Sequence, residues 1–297
     1  MFPVLTAYGW SLAAASAAAA VLLAVRMKRS SLRAWPLFAV LCTLLGAAGA
    51  RGYYILTQNL LCGYPMFSVI SFYPYEHAMC GAVLGVCLAL WLGARFTHQR
   101  VSLVLDAAAP VGLALMTLAR AAEVFSDFGW GKVVEHPAMQ RFPLSVLDMY
   151  DQWHWAVFML ESLFALLALL YVMRRHDPQP GVCFSLALLW WALPQVFCES
   201  FRAETLRWGF VRVQQVQCAL FALAVLLYWG RVRGAGRQVM TRKLAAFVLC
   251  VAVVVFVEFA LDKLNAIPNA ALYALMAADL LALGCMVQKI VLDGNRA

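Results

Sequence analysis

Two arginines close stretches that otherwise suit the interior of a membrane. Arg120 ends Val-Gly-Leu-Ala-Leu-Met-Thr-Leu-Ala-Arg (111–120), and Arg202 ends Val-Phe-Cys-Glu-Ser-Phe-Arg (196–202). Each has a carboxylate three residues away, Glu123 and Glu199 respectively. A guanidinium at membrane depth costs about 3 kcal/mol even on the lenient insertion scale, so it persists where it has a partner or a ligand. Its planar fork of donors matches carboxylate and phosphate oxygens. Two of them on different helices, near one membrane face, point to a site for something anionic. The plainer reading is that each i,i+3 acid–base pair only neutralises itself.

The elements that must hold these groups are membrane helices. Hydrophobic residues make up 64% of the 297-residue chain and charged residues 13%, with a mean hydropathy of +0.79. A soluble domain does not have that balance. A span needs about 20 mostly apolar residues, and that ruler predicts an all-α, polytopic protein of nine spans. They fall near 7–26, 35–57, 75–95, 101–125, 152–173, 183–202, 210–230, 243–262 and 270–288. Fifteen of the 23 Lys and Arg fall in the loops 1–2, 3–4, 5–6 and 7–8 or in the C-terminal tail. Positive charge marks the cytoplasmic side, which predicts the N-terminus outside and the C-terminus inside. The net charge of +8 is then mostly this topological signal and calls for no nucleic acid. Residues 1–7 lack the basic start of a cleavable signal, so the first helix is expected to stay.

Depth follows from a rise of about 1.5 Å per helical residue. Arg120 lies roughly 29 Å along an outward helix, and Arg51 about 24 Å along another. Arg202 ends a third outward helix. Glu76, His77 and Cys80 occupy the first turns of an inward one. Four helices thus bring polar groups to one stratum, the outer-leaflet headgroup region. Single residues also have plain readings: Arg51 can snorkel, and His77 can be an interfacial hydrogen-bonder. Glu161, Glu258 and Asp279 read as helix–helix glue nearer mid-membrane, and Asp106 as a cap or anchor. Most of the nine cysteines fall inside spans as small apolar filler, and none has metal-ligand spacing. The long outside segment 126–151, with Trp130, Gly131, Lys132 and His136, is a candidate functional loop.

The order of these pieces resembles the prolipoprotein diacylglyceryl transferase family. Tyr8-Gly9 is similar to the family's opening Tyr-Gly. Gly-Ala-Arg-Gly-Tyr-Tyr-Ile-Leu-Thr-Gln-Asn (49–59) is similar to its Gly-Gly-Arg-x-Gly-Tyr stretch, with Arg51 on that arginine. Cys-Gly-Ala-Val-Leu-Gly (80–85) lies where the family has His-Gly-Gly-Leu-Ile-Gly, and Asp106 and Pro110 match an Asp-x-x-x-Pro. Residues 119–131 overlay the signature Gly-Arg-x-Gly-Asn-Phe-x-Asn-x-Glu-x-x-Gly, with Arg120 and Gly131 at the family's spacing. Glu199 and Arg202 fall on a later Glu-x-x-Arg, and Gln215 on a family glutamine. The resemblance spans about residues 5–235. It departs where the motif histidine is Cys80, the signature Asn is Glu123 and the signature Glu is Phe128. The resemblance therefore implies a transferase-like membrane core over 1–235, of seven spans, and an additional transmembrane hairpin over 236–297.

The resemblance also implies the chemistry. Diacylglyceryl moves from phosphatidylglycerol to the lipobox cysteine of a prolipoprotein, giving a thioether and glycerol phosphate, at the outer leaflet of the bacterial inner membrane and without a cofactor. Arg120 and Arg202 would hold phosphate and His77 or Cys80 would sit near the reacting centre. Tyr8, Arg51, Glu123, Gly131 and Glu199 would shape the pocket. A carboxylate at position 123 would compete with lipid phosphate for Arg120. A silent relative that binds phospholipid or a lipoprotein precursor, or a transporter, are the alternatives.

Overall fold

The computed structural model describes residues 3–29, 34–62, 77–126, 129–175, 179–203, 205–208, 211–263 and 267–292. Among them, nine helices are long and apolar enough to cross a membrane. They are α1 (Pro3–Arg29), α2 (Trp35–Cys62), α3 (Met79–Phe96), α4 (Val101–Ala122), α5 (Val157–Arg174), α6 (Val182–Glu199), α7 (Val213–Val232), α8 (Arg237–Lys263) and α9 (Asn269–Leu292). The chain is a polytopic helical membrane protein. Two short antiparallel ribbons qualify the all-α expectation: β1 (Ser145–Leu147) pairs with β2 (Trp153–Trp155), and β3 (Arg207–Trp208) with β4 (Val211–Arg212).

Hydrocarbon offers no gain for burying one apolar helix on another, so close packing must come from small residues. Cys-Gly-Ala-Val-Leu-Gly supplies them. A Cβ at Gly81 would collide with the Gly49 carbonyl, and one at Gly85 with the Leu45 carbonyl. That stretch of α3 is therefore a backbone-to-backbone contact with α2.

α6 is the central helix, with Leu186, Leu189, Ala192, Leu193 and Cys198 buried. Its first turn is capped from α4. Asp106 Oδ2 accepts from the Gly181 amide at 2.6 Å and Oδ1 from the Phe184 amide at 2.8 Å. A carboxylate satisfying two orphan amides at a helix N-terminus contributes about 1 kcal/mol and also fixes register. From this shared point α4 runs about 21 Å to Arg120 and α6 about 27 Å to Glu199. α9 packs on α6, where the Trp190 indole donates to Gln288 Oε1 at 2.8 Å and Gly284 lies under the Trp190 ring.

Several boundaries differ from the sequence expectation, and four of the differences move polar residues. α3 begins at 79 rather than 75, which leaves His77 before the helix rather than in its first turn. α5 begins at 157 rather than 152, because 153–155 is a strand. α4 tightens into a 3₁₀ turn at Glu123–Phe125. α6 stops at Glu199, leaving Arg202 in an extended bridge. Glu76 and Phe128 lie outside the described residues.

Candidate active site

The site is built where α4 and α6 end and α5 begins. Segment 130–133 crosses between β2 and the end of α6. Gly131 N donates to Trp155 O at 2.7 Å, Lys132 N donates to Phe201 O at 2.8 Å, and Gly131 bridges Arg202. A Cβ at Gly131 would stand 2.6 Å from Trp155 Cβ and 2.7 Å from Phe201 O, so only glycine allows the approach. Gly129, at φ +74°, abuts the Glu123 carboxylate just as closely. Its left-handed backbone is one that glycine adopts without steric cost.

Between the arginines stands Glu161, from the second turn of α5 and completely buried. Arg202 Nη2 and Nε donate to Glu161 Oε1 at 2.7 and 3.2 Å. Arg120 Nε lies 2.7 Å from Oε2, a charge contact off the line of a hydrogen bond. Glu123 pairs with Arg120 Nη1, and Glu199 Oε2 lies 3.4 Å from Arg202 Nε. Arg120 Nη2 also contacts Met79 Sδ at 3.1 Å, which brings the first residue of α3 to the cluster. Ser162 Oγ donates to Thr117 O at 2.8 Å and holds α5 against α4 beside it.

Two cations and three carboxylates share the centre, and Glu161 fills the gap between the guanidiniums. Two buried like charges repel strongly in a low dielectric, so an anion must lie between them. The arginine side chains keep 14% and 15% exposure, so neither is sealed off.

The sequence-derived candidates divide. Arg120, Arg202, Glu123, Glu199 and Gly131 meet, and the Tyr8 hydroxyl lies within electrostatic reach of Glu123 and Arg120. Arg51 is buried on α2, its guanidinium 6.0 Å from the centre of the Tyr54 ring. Cys80 is buried in the core beside Cys218 and takes no part in the cluster's ion pairs. His77 is exposed just before α3.

Glu161 was read from sequence as mid-membrane glue. Starting the helix at 152 put it nine residues deep, whereas the observed start at 157 places it level with the arginines. His154 also escaped notice. Its Nδ1 lies 3.0 Å from Gly131 O, its Nε2 lies 3.2 Å from Asp148 Oδ2, and its ring stacks on Trp130. Both nitrogens face acceptors, so only the imidazolium donates to both. The Gln152 and Tyr150 amides, with His154, hold the Asp148 carboxyl below the usual carboxylate range. Beside this clasp opens a groove of about 950 Å³ with walls including Ala7, Val124, Phe125, Trp130, Val146 and Met149. Its lining includes Val124, the residue next to Glu123.

The sequence profile of prolipoprotein diacylglyceryl transferase matches residues 2–231. The chain belongs to the prolipoprotein diacylglyceryl transferase family. Among its relatives is the phosphatidylglycerol–prolipoprotein diacylglyceryl transferase of Limosilactobacillus reuteri, 27% identical over 188 residues, 60% of this chain and 68% of that protein. The proteins of that name from Clostridium novyi and Gloeobacter violaceus are 24% and 27% identical, covering 63% and 64% of this chain and 72% and 74% of their own. The transferase match takes in α1–α6 and nearly all of α7, and stops before α8.

Proposed function

We propose that this protein transfers the diacylglyceryl group of phosphatidylglycerol to the lipobox cysteine thiol of a prolipoprotein. The observation that carries the reading is the single carboxylate Glu161 held by Arg120 on one oxygen and by Arg202 on the other. A phosphodiester offers the same pair of anionic oxygens to the same two forks. The cysteine sulfur attacks the glycerol carbon that bears the phosphate. The S–C bond forms, the C–O bond breaks, and its electron pair leaves on the phosphate oxygen as glycerol phosphate. The thiol proton passes to solvent or a nearby base.

The headgroup gains one negative charge in that step, so cations aimed at it stabilise the transition state more than the bound lipid. Lipid phosphate engages Arg120 and Arg202 on their exposed edges while Glu161 keeps them together from behind. The Glu123 carboxylate must turn away or take up a proton for Arg120 to join. Thiols are partly ionised near neutral pH, so the step does not depend on a histidine at position 80. The apolar groove beside Val124 and Phe125 suits an acyl chain or the apolar stretch of a signal peptide. The site faces the outer leaflet of the bacterial inner membrane in this reading, which the distribution of basic loops supports.

One observation favours a second reading. Three carboxylates already answer the two guanidiniums, which suits a silent lipid-binding relative. Purified protein incubated with phosphatidylglycerol vesicles and a fluorescent lipobox peptide separates the two. Thioether product with stoichiometric glycerol phosphate is expected; lipid binding without product selects the silent relative.

A further inference from the structure

The α8–α9 hairpin lies beyond the residues matched to the transferase family, yet it is wired to the back of the active centre. Glu258, buried on α8, accepts from Ser200 Oγ and from Gln215 Nε2 at 2.6 Å. Its other oxygen lies 3.3 Å from Arg212 Nε. Arg212 is 2% exposed and donates to the Glu199 and Ser200 carbonyls. Gln215 also donates to Val196 O at 3.0 Å. From α9, Tyr273 stacks on Phe201 with ring centres 4.2 Å apart, and Met276 Sδ lies 3.5 Å from Ser200 Oγ. The hairpin therefore holds residues 200 and 201 directly, between Glu199 and Arg202.

Those contacts lie where α6 has just ended. Carbonyls there have no helical partners, and the chain turns to extended structure within three residues. Arg212 satisfies two of the carbonyls, and Glu258 is the counter-ion that lets a guanidinium be buried there. Without Glu258, Arg212 keeps its charge, and the Glu199 carboxylate is within its electrostatic reach. An Arg212 drawn to Glu199 takes that carboxylate from Arg202.

We propose that the α8–α9 hairpin is a positioning element for the reaction, with Glu258 a positioning residue that sets Arg202 through Arg212 and Ser200. The inference rests on the transferase reading. The full chain carrying Glu258→Gln keeps the shape and loses the charge. Purified and monodisperse, it is expected to lose about tenfold in kcat/KM for phosphatidylglycerol, with the lipid KM raised and the peptide KM unchanged. Arg212→Gln in the Glu258→Gln background is expected to cost less than the two separate losses combined, because both act through one contact. A merely structural role lowers the active fraction and moves neither KM. Tyr273→Leu probes the same stretch through Phe201 should Glu258→Gln not fold.

Hydrogen exchange at amides 200–202 reads the grip without turnover, and faster exchange in Glu258→Gln is expected. Wild-type protein that makes no thioether sinks the transferase reading, and the exchange measurement then decides the positioning claim alone. Unchanged protection at 200–202, or an unchanged lipid KM in an active wild-type background, overturns it.

Discussion

Replacing Glu161 by glutamine keeps the volume and one acceptor oxygen but removes the negative charge between Arg120 and Arg202. The structure gives the size of the effect. Two guanidiniums contact the two oxygens of one carboxylate, each at 2.7 Å, so their centres lie about 6 Å apart. At an effective dielectric of 20 their mutual repulsion is about 3 kcal/mol. Loss of one partner from a buried pair costs about 3–5 kcal/mol. Glu123 and Glu199 stay in place and absorb part of this, leaving about 3 kcal/mol. Expressed in the transition state, that is about 10²-fold in turnover. Glu161→Asp retains the charge but is one methylene shorter, and it is expected to hold one arginine rather than both. The assay is thioether formation from phosphatidylglycerol, normalised to folded protein by size-exclusion peak and thermal midpoint. Glu161→Gln turning over within threefold of wild type, with an unchanged midpoint, would refute the bridging role.

Arg120→Lys replaces a fork by a point charge; it cannot contact Glu161 and Glu123 as the guanidinium does, and turnover is expected to drop at least tenfold. Gly131→Ala forces a methyl against Trp155 and the Phe201 carbonyl, an overpacking cost of about 1–3 kcal/mol; a lower thermal midpoint and lower activity together check it. Asp148 has a lowered pKa in the folded hairpin, so its contribution is present above the unfolded carboxyl range and is lost as pH falls through the lowered value. Lower protection across 145–155, taken as exchange relative to each amide's intrinsic rate at the same pH, is therefore expected on acidification toward pH 3, with Asp148→Asn showing that lower protection already at neutral pH and no further change with acid.

The helices were legible because an apolar run of about 20 residues has few other uses. Arg120 and Arg202 were legible for the converse reason: charge at that depth stands out against its neighbours. Their shared partner was not. Trp153-His154-Trp155 reads as the apolar beginning of a span, yet its backbone pairs with Ser145–Leu147 and with Gly131 and Lys132. Pairing of this kind depends on backbone partners six to twenty-four positions away, which local hydropathy does not register. The early start then put Glu161 too deep to be counted with the arginines. Cys80 shows what a motif leaves out. The glycines that follow it dock α3 on α2, and Cys80 is buried beside Cys218, a packing role that its place in the motif did not announce. Glu258 was recognised as helix glue, and only its partners on α6 and α7 tie that glue to the site.

Asp106 gives the bundle a fixed origin. The same carboxylate sits on α4 and grips the first amides of α6, so the rod that carries Arg120 and the rod that leads to Arg202 are pinned at their far ends, and their lengths set the height at which the guanidiniums arrive. Sliding either rod by one turn would break both amide contacts and carry one arginine about 5.4 Å past the other. The height at which the two guanidiniums stand is therefore gauged from the far end of the helices, by a carboxylate about 21 Å along α4 from Arg120.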